Sequence, residues 1–313
     1  MGTIAWLFPG QGSQAVGMAK DVLAVSPAAR EVFARVDAAL GEPLSRLVLE
    51  GPEADLTLTA NAQPALVATS AAILAAMQER LPSHTAPTFA AGHSLGEYSA
   101  LVAAGAIGLE DAVRLVRARG RAMQDAVPPG VGAMAAVMGV DAETLEGICR
   151  QAAQGEVVSP ANFNAPGQIV IAGHATAVAR AGELASAARG KTIPLKVSAP
   201  FHCALMASAA RAVEQALTEV TVRAPRFPVV ANFDARPNSD PVRVKELLVR
   251  QVDGAVRWEQ AVRFMHGAGV THALEIGPGK VLAGLCKRIA KDIKVLSVGD
   301  AAALEQLPSF LAS

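Results

Sequence analysis

The sequence is short of cysteine, of net charge and of long uninterrupted apolar runs. Its three cysteines, Cys149, Cys203 and Cys286, are widely spaced and odd in number, which gives neither a disulfide framework nor a Cys-x-x-Cys metal site. A reduced, cytoplasmic setting is the plain expectation. Basic and acidic residues balance at 28 each, so there is no electrostatic argument for binding nucleic acid or an anionic membrane surface. The start, Met1 to Phe8, lacks the basic residues of a signal peptide. The longest apolar helix-like stretch, Ala65 to Met77, contains Thr69 and Ser70 and is expected to be too short to span a bilayer. No His-Glu-x-x-His or clustered His/Cys spacing supports a metal. Repeats and low-complexity tracts are also missing. A soluble enzyme or binding protein is expected.

With 313 residues, 51% of them hydrophobic, the chain can bury a sizeable core as one large domain or two smaller ones. Short β-like runs alternate with Ala-rich helical patterns, the signature of an α/β sheet with mostly parallel pairing. Thr3 to Phe8 reads as the first strand, ending in the turn Pro9-Gly10-Gln11-Gly12-Ser13-Gln14. That turn lacks the Gly-x-Gly-x-x-Gly spacing and the P-loop lysine, so a nucleotide reading is poor. From Ala133 to Val197 the order is strand, helix (Ala142 to Ala153), two strands (Val157 to Ala161 and Gln168 to Ala172), helix (Ala175 to Arg189), strand. This β-α-β-β-α-β order is ferredoxin-like. The expected organisation is a large α/β-hydrolase-like domain of residues 1–127 and 198–313, with an inserted small ferredoxin-like domain of residues 128–197 and a cleft between them. Thr271 to Ile276 is expected as a late strand of the large sheet.

The most informative residues are Gly92-His93-Ser94-Leu95-Gly96, which follow a short apolar run and precede a helix-compatible stretch. That setting is the one in which Gly-x-Ser-x-Gly forms a nucleophile elbow, with the serine hydroxyl exposed at a helix N-terminus. A serine nucleophile needs a base, and histidine is the usual one. His84, His174, His266 and His272 have no special context, and His93 adjoins Ser94 on a turn where neighbouring side chains diverge. His202 follows a strand and the Ala199-Pro200-Phe201 turn, where the two domains are expected to rejoin; the alternative for it is an incidental loop histidine.

Arg114, Arg117 and Arg121 share one face of the helix expected from Glu110 to Gln124 and are most simply solvated. Arg119 falls on the opposite face among Ala112, Leu115, Val116, Ala122 and Met123. Arginine is rarely buried without a partner. Helical phase leaves two readings open, an internal salt bridge, which is the simpler, and a fork awaiting a substrate carboxylate. Gln251 similarly lies in line with Val244, Leu247 and Leu248, so its amide needs buried partners or orients a histidine. Asp234, Asp240 and Asp253 stay open as a third triad member. Lys287, Arg288 and Lys291 read as a solvated helix face, or as a dock for an acidic partner.

Taken together, Phe8-Pro9-Gly10-Gln11-Gly12-Ser13-Gln14, Gly92 to Ser99, Arg119-Gly120, Asn162 to Gln168, Phe201-His202 and Glu275 to Lys280 resemble the malonyl-CoA:acyl carrier protein transacylases, acyltransferases of fatty acid and polyketide synthesis. The similarity runs in order nearly end to end. It implies a ping-pong cycle in which Ser94 attacks a malonyl thioester with His202 as base. In such a cycle the main-chain amides of Gln11 and Leu95 hold the oxyanion, a Gln251 carbonyl orients the histidine, and Arg119 clamps the free carboxylate. His93, Asn162 and Phe201 would line the substrate, Phe201 favouring malonyl over methylmalonyl. Malonyl-CoA and a phosphopantetheinylated acyl carrier protein are the implied substrate and partner, with no bound cofactor. The chain departs from the resemblance at Val252-Asp253-Gly254, where relatives often carry a proline, and only approximates it at Ala231 to Asp234. A serine thioesterase or esterase using the same Ser94 and His202, a trans-acting polyketide acyltransferase and a catalytically silent docking module for carrier proteins are the competing readings.

Overall fold

The strand Thr3–Phe8 has no polar face, because the chain buries it from both sides. Trp6 and Phe8 enter one core cluster while Ala5 and Leu7 enter another, as the alternation of side chains along a strand requires. The computed structural model describes residues 3–81, 85–197 and 199–313; His84 lies outside the described residues. In chain order the strands among these are β1 (Thr3–Phe8), β2 (Phe89–Gly92), β3 (Gly132–Met138), β4 (Val158–Ala165), β5 (Gln168–His174), β6 (Lys191–Pro194), β7 (Val229–Val230), β8 (Pro237–Asn238), β9 (Val270–Ile276) and β10 (Lys294–Val298).

They form two sheets. The first has six strands in the order β10-β9-β1-β2-β7-β8. Every pairing in it is parallel except the short β7–β8 edge. The protein is therefore α/β with a mostly parallel sheet. The second sheet has four antiparallel strands in the order β4-β5-β3-β6. Helices Ala142–Ala153 and Ala175–Ala187 pack on it. The first starts where Asp141 accepts from the Thr144 amide at 2.9 Å, a capping interaction worth about 1 kcal/mol.

Two expectations from the sequence change here. The strand expected to stop at Ala161 runs on to Ala165. Its register slips between Pro160 and Asn162, because Pro160 has no N–H for the ladder and a bulge absorbs the mismatch. The slipped segment exchanges bonds with Val256, from Phe163 N to Val256 O and from Val256 N to Ala161 O, both 2.8 Å. Second, the apolar stretch expected from Ala65 to Met77 belongs to a longer helix, Thr59–Gln78, of 20 residues. That length matches a membrane span, but 78% of its most apolar window is buried inside the protein itself. Arg119 and its neighbours lie on the helix Leu109–Asp125, which packs against it.

The elbow sits where β2 ends. A Cβ on Gly92 would lie 1.9 Å from the carbonyl carbon of Gly96, and one on Gly96 would lie 2.0 Å from the Phe8 oxygen. Neither neighbour is a movable side chain, so the helix Gly96–Ala103 can press against β1 only while both positions lack side chains. Gly96→Ala is expected to destabilise the protein by at least about 2 kcal/mol. Chemical denaturation measures it, and an unchanged midpoint would show that the elbow is looser than this packing implies.

Candidate active site

Ser94 stands between β2 and the helix Gly96–Ala103 with φ of 49°, and His202 has φ of 60°. A non-glycine residue in this left-handed region costs about 1–3 kcal/mol, so both side chains are held by their surroundings rather than by local preference. The Ser94 amide donates to Asn232 Oδ1 at 2.6 Å, and Asn232 Nδ2 donates to the Gly92 carbonyl at 2.7 Å. This side-chain amide clasps the strained turn from both ends.

The Ser94 hydroxyl donates to His202 Nε2 across 2.7 Å. On the other side of the ring, Nδ1–H donates to the main-chain carbonyl of Gln251 at 2.8 Å. Gln251 lies near the C-terminal end of the helix Pro241–Asp253, where carbonyls lack intrahelical donors and carry the negative end of the helix dipole. That carbonyl sets the tautomer, leaving the Nε2 lone pair for the serine proton. The main-chain oxygen of Gln251 therefore does the orienting; the side-chain amide, aimed coreward as its helical phase implies, does something else. The reach survives at Val252-Asp253-Gly254 because the helix continues to Asp253. Among the described residues no carboxylate, Asp253 included, takes the third place, since the Gln251 carbonyl occupies it; Asp234 is bonded to Arg243 and Asp240 caps the helix that follows it.

Burial, aided by the positive charge of Arg119, pushes the His202 imidazole down to about 3. It is therefore neutral near pH 7 and competent to accept a proton.

Arg119 is 1% exposed. Its Nη1 donates to Gln63 Oε1 at 2.8 Å, and its Nη2 donates to Gln251 Oε1 at 2.9 Å and to Ser94 Oγ at 3.1 Å. These acceptors are all uncharged, and among the described residues Nε has no hydrogen-bond partner. Of the two readings left open by helical phase, the internal salt bridge is not the one observed among the described residues. Arg117 corrects an expectation. It is buried rather than solvated, paired with Glu42 and Asn61, while Arg114 and Arg121 on the same face are exposed.

Ser94, His202 and Arg119 open onto one cavity of about 370 Å³, also lined by Gln11, His93, Asn162 and Phe201. His93 donates from Nε2 to Asn164 Oδ1 at 2.8 Å and packs against Trp258. Among the described residues the main-chain amides of Gln11 and Leu95 have no acceptor, while that of Ser94 is taken. Leu95 immediately precedes the helix Gly96–Ala103, where free N–H groups suit an anion. Lys287 and Lys291 are exposed, and Arg288 donates to Gln168 at 2.7 Å.

Three residues at the centre escaped the sequence analysis as individuals: Gln63, Asn232 and Glu97. Gln63 is the clearest lost signal, a fully buried amide among the apolar residues that make up most of its helix. Glu97 is 3% exposed. It accepts from the Asn232 amide at 2.9 Å and from Gln251 Nε2 at 2.7 Å. Burial raises its carboxyl to about 7 against these bonds.

Comparison with known proteins fits this arrangement. The acyl transferase domain family matches residues 5–305. The chain belongs to the acyl transferase family. It is 48% identical over 305 residues to the malonyl CoA-acyl carrier protein transacylase of Escherichia coli, covering 97% of this chain and 98% of that one. The crystal structure of acyl-carrier-protein-S-malonyltransferase from Bartonella henselae superposes with a TM-score of 0.96 at 50% identity, over 99% of this chain and 100% of that one. A malonyl-transacylase solved in complex with a type II polyketide synthase acyl carrier protein superposes with a TM-score of 0.95 at 45% identity, over 99% of this chain and 100% of that one.

A depressed histidine pKa has a direct kinetic consequence for this acyl transferase. An imidazole accepts a proton only when unprotonated, so if His202 takes the Ser94 proton, acylation by p-nitrophenyl acetate should stay level from about pH 7 to about pH 5, with no fall at the usual histidine value of about 6.5. Between about 6.5 and about 3 the unfolded chain binds the proton better than the folded one, so this group lowers stability as pH falls through that window. Stopped-flow burst kinetics across pH checks the rate; an inflection near 6.5 would contradict the buried neutral base.

Proposed function

We propose that the chain transfers a malonyl group from malonyl-CoA to the phosphopantetheine thiol of an acyl carrier protein through a malonyl-Ser94 intermediate, supplying extender units for fatty acid or polyketide synthesis. The observation that carries the substrate choice is Arg119. It is a buried cation whose hydrogen-bond partners are all neutral, donating to the nucleophilic oxygen itself at 3.1 Å. A malonyl carboxylate, one methylene from the reacting carbonyl, is the charge that such a guanidinium lacks. A hydrolase of neutral esters would leave it unpaired.

In this reading His202 takes the Ser94 proton as Oγ attacks the thioester carbonyl. The oxyanion is held by the Gln11 and Leu95 amides, each worth about 3–4 kcal/mol in the transition state. The imidazolium, steadied by the Gln251 carbonyl, returns its proton to the departing CoA sulfur. The carrier thiol then repeats the steps in reverse order. His93, Asn162 and Phe201 shape the wall around the acyl group, Phe201 crowding the α-carbon against a methyl branch. The four-stranded sheet and its two helices act as an inserted ferredoxin-like unit, residues 128–197, on the large hydrolase-like domain of residues 1–127 and 198–313. The cavity is the cleft between them. No cofactor is needed for these steps. Three buried free cysteines suit a cytoplasmic setting.

Incubation with malonyl-CoA should add one malonyl group to the intact mass of the protein and none to Ser94→Ala. Labelled malonyl should pass to a phosphopantetheinylated carrier rather than appear as free malonate. Arg119→Ala should lower malonyl loading by at least about 100-fold while changing acetyl loading by less than about tenfold. Equal losses for the two acyl groups would reduce Arg119 to a structural role.

A further inference from the structure

One buried carboxylate has no part in the steps above. Glu97 Oε2 receives two N–H groups, from Asn232 and from Gln251 Nε2. Gln251 Nε2 also donates to the Ser94 carbonyl at 2.9 Å. Both amide hydrogens are then committed, and only Oε1 remains to face Arg119. The Ser94 carbonyl, which only accepts, and the Arg119 guanidinium, which only donates, enforce this orientation in either protonation state of Glu97, since a reversed amide would set oxygen against oxygen and N–H against N–H. Glu97 thus lies one amide away from the guanidinium, close enough for each charge to act on the other without direct pairing.

We propose that Glu97 is a specificity-determining positioning residue whose carboxylate, acting through Gln251, sets how strongly Arg119 binds the free carboxylate of the malonyl group. The inference rests on the functional reading above. A direct Glu97–Arg119 salt bridge would occupy the fork, and no nearby charge would leave a bare buried cation. The spacing of one amide keeps the guanidinium oriented, partly balanced and open.

When a malonyl carboxylate arrives, two anions share one cation, and each raises the proton affinity of the other. Glu97 gives way by taking a proton from solvent, and releases it when the acyl group leaves. Burial already holds its carboxyl near 7, Asp234 pushes in the same direction, and Arg119 opposes both. The adjoining Tyr98, raised to about 12, and His202, lowered to about 3, keep their neutral forms. Glu97 is therefore the group here that changes charge near neutrality.

The test compares the apparent KM for malonyl loading of Ser94 with the affinity for free CoA, which shares everything with the substrate except the acyl group. As Glu97 ionises, the wild-type malonyl KM should rise at least about threefold from about pH 6 to about pH 8, while CoA affinity stays level. Glu97→Gln, neutral at every pH, should hold malonyl KM level near the wild-type value at low pH. Glu97→Asp keeps an ionisable group and should keep the slope. A level wild-type KM, a parallel drift in CoA affinity, a Glu97→Gln profile that follows the wild type, or a folded Glu97→Asp without the slope would each overturn the proposal. If Glu97→Gln does not fold, the wild-type and Glu97→Asp arms still decide it. A wild type that forms no malonyl adduct at all would overturn the functional reading, which is a different outcome from an adduct whose KM ignores pH.

Discussion

Gln251 is bonded at both ends, and the geometry of the site depends on it. Its main-chain oxygen orients His202, its side-chain nitrogen holds the Ser94 carbonyl and Glu97, and its side-chain oxygen meets Arg119. Ser94, His202 and Arg119 come from segments far apart in the chain, yet each is referred to one residue near the end of one helix. That helix end supplies a carbonyl with unused acceptor capacity and partial negative charge, which is what the His202 ring N–H meets. A neutral acceptor leaves the region without a second fixed anion near Arg119. In the proposed reaction the guanidinium then finds its countercharge in the substrate.

The arrangement is strained and the strain is offset nearby. Ser94 and His202 both occupy left-handed backbone conformations. Around Ser94, the Asn232 side chain bonds to both sides of the turn, and side-chain-free positions 92 and 96 let the following helix lie directly on β1. Around His202, burial and the Gln251 carbonyl fix the ring. The strand β1 beneath carries apolar side chains into two core clusters, Trp6 and Phe8 in one, Ala5 and Leu7 in the other. Rigid packing of this kind is what holds a hydroxyl and an imidazole at hydrogen-bond distance before any substrate is present.

Much of this was legible in the sequence, and the misreadings have particular causes. Strands and helices with clear periods appear close to where the pattern puts them, the helix Ala142–Ala153 residue for residue. The extension of β4 past Ala161 was hidden because Asn162, Asn164 and Pro166 read as a turn, while pairing with Val256 is a long-range contact with no local trace. The same blindness affected Arg117, whose partners Glu42 and Asn61 lie far from it in the chain. Glu97 sat in plain view within a recognised motif, but nothing local distinguishes a buried glutamate from a surface one at the start of a helix.

The sequence by itself determined the α/β class, the strand-turn-helix setting of Ser94 and the anomalous phase of Arg119, because these follow from periods of two and 3.6 and from turn chemistry within a few residues. It could not tell a salt-bridged Arg119 from an open one, nor say which oxygen of Gln251 would meet His202. Those outcomes depend on which groups meet across 25 to 132 residues of chain. Only the closed tertiary structure, by excluding water and leaving each buried donor a few possible partners, settles them.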